Sequence, residues 1–168
     1  MRLDDISDCI ELIDGAFSRN ISQEDKIFES SDINKPPWSW FGQETVYFHV
    51  YKFSHKIIGY VVWRGKKSIS HLHSFLISSE IQRMGIGSAL LNEYEKGAVL
   101  LNSNCRLFTL HTYKDTEYNH KFYFSAGYVR YKKNDEKIIP SLHIWIDNCK
   151  KHNDWPLKNN KILFYKTV

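Results

Sequence analysis

Between Ile69 and Leu101 an alternating strand runs into a glycine-punctuated turn and then a helix, and this stretch limits the fold more than any other. Ile69, His71, His73, Phe75 and Ile77 fall on one face at the two-residue period of a β-strand. Ser78-Ser79-Glu80 breaks the alternation. Gln82-Arg83-Met84-Gly85-Ile86-Gly87-Ser88 follows, after which Leu90, Tyr94, Ala98 and Leu101 recur at helical spacing. Strand, glycine turn, helix is a layout suited to phosphate. The turn presents several backbone N–H groups, the glycines let the backbone close on a ligand, and the helix N-terminus adds the positive end of its dipole. Arg83 adds a full charge.

Two familiar phosphate loops are excluded by spacing. A dinucleotide fingerprint needs a third glycine where Leu90 stands, and a Walker loop needs Gly-Lys followed by Ser or Thr, which is absent. What does match is Gln/Arg-x-x-Gly-x-Gly after a strand, and this resembles the pyrophosphate loop of GNAT-type N-acetyltransferases.

The 168 residues read as one domain, 1–168, large enough to bury roughly 70% of the unfolded surface. Hydrophobic residues make up 42% and charged ones 25%, as in a soluble globule, while 15% aromatics predict an aromatic-lined core and pocket. Met1-Arg2-Leu3 leads straight into Asp4-Asp5 without a signal-peptide apolar region, and the apolar run Ile57 to Trp63 is far short of a membrane span. A cytoplasmic protein without a membrane partner is the expectation. Cys9, Cys105 and Cys149 are too far apart for a disulfide framework or a metal knuckle. The net charge of +4 is carried by scattered pairs such as Lys66-Lys67, Lys132-Lys133 and Lys150-Lys151, which gives no support for nucleic-acid binding.

Taken in order, Ile6, Cys9, Ile10, Ile13 and Phe17 predict a helix over about residues 5–18. Ser22-Gln23-Glu24-Asp25 has the form of a capping box opening a second helix. Residues 30–42 read as a loop around Pro36-Pro37 that carries Trp38, Trp40 and Phe41. Strands from Val46 to Val50 and from Ile57 to Arg64, turning at Ser54-His55-Lys56, lead through Gly65-Lys66-Lys67 into the strand at Ile69, an antiparallel meander. Cys105 to Tyr113 reads as a further strand. Asp115 or Thr116 is placed to cap a helix that runs through Ala126 and ends at Gly127. Tyr128 to Lys132 is strand-like and Ile162 to Tyr165 closes the chain. Residues 134–159 read either way, because Leu142, Ile144 and Ile146 alternate like a strand in a segment that also suits a short helix.

Helix, helix, three strands, helix, strand, helix, two strands is the order of the GNAT fold. The resemblance implies an α+β domain: a mixed, mostly antiparallel twisted sheet, helices on both faces, and a splayed pair of parallel central strands that admits the pantetheine of acetyl-CoA. Members usually open with a strand before the first helix, where this chain has only Met1-Arg2-Leu3. Either that strand is vestigial or the true start lies upstream. The long segment before the final strand is a second departure.

Phe122-Tyr123-Phe124-Ser125-Ala126-Gly127-Tyr128 resembles the family's Phe-Tyr-x-x-x-Gly-Phe helix ending. By that resemblance Tyr123 is the general acid that protonates the departing thiolate, although a buried core tyrosine is the plainer alternative. The same resemblance implies that Gln82, Arg83, Met84, Gly85, Ile86, Gly87 and Ser88 bind the cofactor's pyrophosphate, that Ile77 lies along the pantetheine with Leu76 a further cofactor contact, and that the Phe75 N–H meets the thioester carbonyl. Thr116, Asn119 and Phe122 are further cofactor contacts, Thr116 standing where the family often has asparagine. His71 stands eleven residues before Gln82, the position of the family's general base, and His71-Leu72-His73 resembles the paired histidines of serotonin (arylalkylamine) N-acetyltransferases. The chemistry asks for such a group. A primary ammonium has a pKa of about 10, and imidazole titrates where it can take that proton. The pair also reads as hydrogen-bonded polar core, or as half of a metal site lacking its carboxylate or cysteine; no metal is expected.

The family's acceptor pocket is walled by the first two helices and the loop after them. Here that region supplies Trp38, Trp40 and Phe41 with Glu24, Asp25, Glu29 and Asp32, which suits an amine with an apolar body, as it also suits a core and a solvated acidic face. The expected activity is acetyl transfer from acetyl-CoA to the primary amine of a small molecule by direct attack in a ternary complex. None of the three cysteines lies in the motifs, against a covalent route. Modification of proteins, peptides or a ribosomal partner, and acyl-CoA sensing without turnover, are the other readings. A homodimer is read only from the habit of the family.

Overall fold

The computed structural model describes residues 5, 7–9, 11, 12, 44–151 and 160–168. The described residues among 5–12 are helical, in agreement with the first predicted helix. The capping box at Ser22, the loop with Trp38, Trp40 and Phe41, the carboxylates Glu24, Asp25, Glu29 and Asp32, and Met1-Arg2-Leu3 lie outside the described residues. Three strands follow, β1 (Val46–Phe53), β2 (Lys56–Lys66) and β3 (Ile69–Ile77). After a 3₁₀ turn at Ser79–Ile81 come α1 (Ile86–Leu101), β4 (Leu107–Tyr113), α2 (Glu117–Ser125), β5 (Val129–Arg130), a 3₁₀ turn at Asp135–Lys137, α3 (Pro140–Lys151) and β6 (Lys161–Thr167). The six strands are ordered β1-β2-β3-β4-β6-β5. This is the α+β arrangement expected, a mixed sheet in which β3 and β4 form the parallel pair.

The described residues belong to two compact units, one within residues 1–64 and 73–97, the other within 65–72 and 98–168. In the first unit β1 pairs antiparallel with β2, from Val46 opposite Arg64 to Phe53 opposite Lys56. Each face of this ribbon is covered. Val46, Phe48, Tyr60 and Val62 pack with Cys9 and Leu12 of the N-terminal helical segment. Trp63 stacks on Tyr47 (5.4 Å between ring centres) and meets Tyr94 of α1 edge-on at 5.5 Å. Leu90, Tyr94 and Ala98 are buried as their spacing predicts, but Leu101, at the end of α1, is 53% exposed. One more turn of periodicity carries past the point where the helix meets the core.

Gly59 in β2 is required by close packing. A Cβ there would lie 2.5 Å from Ile77 Cδ1 and 3.0 Å from the Leu76 carbonyl oxygen. The isoleucine methyl can rotate away; the carbonyl is backbone and cannot without moving β3. Gly59→Ala is therefore expected to lower stability by about 1–3 kcal/mol. In urea unfolding the midpoint would fall while the slope stays the same. An unchanged midpoint would show that β3 yields freely.

In the second unit the first half of β3 pairs in parallel with β4, from Ile69 opposite Leu107 to Leu72 opposite Leu110. β4 pairs antiparallel with β6 over its whole length, and β6 with the two-residue β5. The strand expected over Tyr128–Lys132 thus shrinks to Val129–Arg130. The ambiguous segment is helical. Leu142, Trp145 and Ile146 of α3, at the i, i+3, i+4 spacing of one helix face, pack on Ile69, Leu107, Leu163 and Tyr165. Ile144, which the strand reading turned inward, is 44% exposed.

Candidate active site

The loop between β3 and α1 is shaped as an anion cradle. Arg83 (φ 67°) and Gly85 (φ 81°) both take left-handed backbone conformations, which turn successive N–H groups toward a common side. The first α-helical hydrogen bond runs from the Ala89 N–H to the Gly85 carbonyl at 3.0 Å. The N–H groups of Ile86, Gly87 and Ser88 therefore precede the helical ladder at the positive end of the dipole. No acidic residue stands in the first turn of α1 to compete with an anion. Gln82, Arg83, Met84, Gly85 and Ser88 are exposed, with Ile86 and Gly87 half-buried. Gln82 holds the start of the loop, its Nε2 donating to the Ile77 carbonyl at 3.2 Å. These residues fit a diphosphate-bearing cofactor by chemistry and by exposure.

The strand leading into the loop is set by packing. Leu76 is half-buried against the core cluster that includes Phe48 and Tyr60, and Ile77 is buried beside Gly59. Ser74 donates to the Tyr60 hydroxyl at 3.1 Å in the core. Ile77, being buried, could meet a ligand only through its backbone, while Phe75 and Leu76 are half-buried.

At the other end of the predicted signature, Tyr123 is the one buried residue of α2. Its ring lies 5.2 Å from Phe122, 5.8 Å from Tyr128 and 6.0 Å from Phe164. Its carbonyl accepts from the Ala126 and Tyr128 N–H groups at 3.1 and 3.0 Å, and Gly127 turns at φ 86° to close the helix as its position predicts. Thr116 does sit at the N-cap, but its side chain makes no capping bond. Its hydroxyl instead donates to the Tyr113 carbonyl at 2.9 Å and lies 3.3 Å from that of Thr112, to which Asn119 Nδ2 donates at 3.2 Å. Thr116 and Asn119 are engaged in closing the β4–α2 turn.

The structure gives His71 a set of partners that no local pattern announces. Its Nδ1 is 2.9 Å from the Oγ1 of Thr109, the residue opposite it on β4. The His71 ring lies 4.8 Å from that of His111 and 5.5 Å from the Trp145 indole, and His111 is 5.3 Å from the same indole. His71 and His111 are half-buried, while Thr109 and Trp145 are buried. Thr109 and His111 do alternate with Leu107 on β4, but only the register of two strands 38 residues apart brings them to His71. His73 is exposed. Cys9 and Cys105 are poorly suited to nucleophilic work. Burial, with Asp5 and Asp8 adding to it, pushes the Cys9 thiol up to about 12, and burial likewise raises Cys105. Among the described residues no three His, Cys, Asp or Glu side chains cluster to hold a metal ion, and no helix is long and apolar enough to cross a membrane.

Residues 15–128 match the model of the Acetyltransferase (GNAT) family. No curated protein sequence matches the chain. Among solved structures, the chain is similar to the PaiA N-acetyltransferase of Thermoplasma acidophilum in complex with coenzyme A, at 14% identity and a TM-score of 0.72, covering 100% of this chain and 96% of that one. It is similar to the ribosomal-protein-S18-alanine N-acetyltransferase of Escherichia coli at 12% identity and a TM-score of 0.66, covering 100% and 90%. Ard1 of Thermoplasma volcanium matches at 18% identity and a TM-score of 0.63, covering 100% and 94%. At these identities the likeness is one of fold.

Proposed function

The chain belongs to the GNAT family of acetyltransferases, and on that premise we propose that it moves acetyl from acetyl-CoA to the primary amine of a small molecule. The observation that carries the reading is the loop from Gln82 to Ser88. It combines two left-handed residues, three N–H groups ahead of the helical ladder, the Arg83 charge and a first turn free of carboxylates. Acetyl-CoA supplies the activated thioester, and the loop residues would hold its pyrophosphate. The Phe75 N–H would hydrogen-bond the thioester oxygen as negative charge develops there. His71 would take the proton of the amine, directly or through water, so that the nitrogen lone pair is free to attack. Tyr123 would hold the proton that the departing thiolate receives.

The cradle is tested apart from turnover at Gly85. A Cβ at Gly85 meets nothing within 4 Å, so only the conformation at φ 81° opposes a side chain. Holding an alanine there costs about 1–2 kcal/mol. Gly85→Ala is expected to weaken coenzyme A binding by about tenfold in titration calorimetry. Unchanged affinity would remove the loop from the binding site.

The activity is tested by acetyl-CoA-dependent thiol release over tyramine, tryptamine, spermidine, an aminoglycoside, and peptides with free N-termini or lysines. Turnover of the small amines, above all the aromatic ones, is the expected result. Turnover of peptides alone would move the function to protein modification. Tight acetyl-CoA binding without thiol release to any amine would make the protein a sensor.

A further inference from the structure

The long segment before the final strand folds into α3, and α3 lays an indole over the His71 ring. Beneath this helix the sheet is largely aliphatic, with Ile69 of β3, Leu107 of β4 and Leu163 of β6 packed against Leu142 and Ile146. His71 comes two residues after Ile69 on the same face of β3 and is half-buried. The side chain it meets from α3 is Trp145, 9% exposed. The two ring centres are 5.5 Å apart and the planes tilted by 34°, closer to stacked than to edge-on. The 2.9 Å contact from Nδ1 to Thr109 Oγ1 fixes the same imidazole from the side.

A base in this place has a charge to accommodate. It becomes an imidazolium when it takes a proton, and a half-buried, apolar surrounding disfavours that form. Aliphatic cover would only keep water away. A π-face within about 6 Å keeps water away and attracts the cation as well, indole most strongly.

Resting on the reading of His71 as base, we propose that Trp145 is a positioning residue for the reaction. Its indole face orients the His71 ring and stabilises the imidazolium that forms when His71 takes the amine proton. The proton passes from the ammonium nitrogen to Nε2 of His71, and the electron pair of the broken N–H bond stays on the amine. The positive charge moves onto the imidazole that lies against the indole. No bond to Trp145 forms, and it acts on the reaction through His71.

Titratable groups reach this face from each neighbouring element. On β4, the His111 ring is 4.8 Å from His71 and meets the indole at 67°. On β6, Tyr165 stands opposite Thr109 and is pushed up to about 12 by burial and by its hydrogen bond to Asp135. Tyr131 is raised by burial and by Glu136, and Lys161 lies over the Tyr113 ring at 5.2 Å. On α3, Cys149 packs against the same cluster, while Asp147 is paired with His143 and Lys150. His73 of β3 is exposed. All of these groups are kept when only residue 145 is changed, so the effect of the indole face is read apart from theirs.

Trp145→Phe and Trp145→Leu separate the face from the cover. Both leave a smaller apolar side chain, and only phenylalanine keeps a π-face. Ring-resolved NMR titration gives the His71 midpoint in each, the resonance being assigned by its loss in His71→Gln. Removing a face that favours the cation lowers the midpoint, so the leucine variant is expected to titrate about half a pH unit below the phenylalanine variant. In thiol release at saturating acetyl-CoA, kcat/KM for the amine should fall about threefold in Trp145→Phe and about tenfold in Trp145→Leu. The acid limb of the leucine variant should move down with its His71 midpoint, and coenzyme A affinity should not change. Should the leucine variant fold poorly, the wild type decides. Its Trp145 indole resonances, assigned by their loss in Trp145→Phe, should move with the His71 midpoint, and that movement should vanish in His71→Gln. Equal His71 midpoints in the two variants, or indole resonances that do not follow His71, would overturn the proposal. Equal losses of kcat/KM with an unmoved acid limb would reduce Trp145 to packing and overturn its part in turnover. Ordered midpoints in a protein that turns over no amine would uphold the contact and reject the base.

Discussion

Tyr123→Phe is expected to lower kcat by about a hundredfold while coenzyme A binds as before. The substitution removes one hydroxyl and keeps the ring, so the contacts with Phe122, Tyr128 and Phe164 that seat α2 on the sheet are retained. On the proposed mechanism, what is lost is the proton for the departing sulfur. General acids contribute about 10²–10⁴ in rate, and a thiolate is a good enough leaving group to place the loss at the lower end of that range. The measurement is thiol release under saturating amine and acetyl-CoA, with coenzyme A affinity determined in parallel. Loss of kcat with unchanged affinity identifies a transition-state contribution. A variant within about threefold of the wild type would return Tyr123 to the core, the plainer role its 7% exposure also fits. Weakened binding together with reduced stability would point to the same packing role.

How much of this arrangement is legible in the chain follows from the range of the interactions involved. The step from β3 through the loop into α1 is local. A change of period from two to 3.6 and a pair of glycines mark it, and the elements fall at Ile69–Ile77 and Ile86–Leu101. α3 is harder because Leu142, Ile144 and Ile146 satisfy a strand pattern. Trp145, three residues after Leu142, completes the helical face, and Pro140 at the first helical position with Lys150 and Lys151 in the last turn supports the helix from both ends. Those signals stand beside the alternation, so the segment reads either way from its sequence. Thr109 and His111 carry no such local mark. A threonine and a histidine in an alternating strand acquire meaning only when the parallel register sets His71 opposite Thr109. Gly59 is similar: within an apolar run it reads as a weak point of a strand, and only the Leu76 carbonyl across from it shows why a side chain does not fit.

Thr109 leads to the second large effect, at the base. His71→Gln is expected to reduce kcat/KM by about a hundredfold at neutral pH and to change the shape of the pH profile. Without an imidazole to take the proton, only amine that is already neutral can attack. Its fraction rises tenfold per unit up to a pKa of about 10, so the variant's rate should climb with a slope near one where the wild type is already level. A purely structural histidine would lower the whole curve and leave its shape alone. Thr109→Val separates orientation from chemistry. For Nε2 to face the amine with its lone pair, Nδ1 must carry the hydrogen and donate it to Thr109 Oγ1, 2.9 Å away. Valine fills the same space without the oxygen, in a layer whose neighbours Leu107, Leu163 and Tyr165 are themselves buried. The imidazole remains, so a loss of about tenfold, the worth of one hydrogen bond, is expected in place of a hundredfold, with the wild-type profile kept. If His71→Gln retains the wild-type profile, the base lies elsewhere. If Thr109→Val costs as much as His71→Gln, the hydroxyl itself relays the proton, and Thr109 joins the residues that touch the reaction.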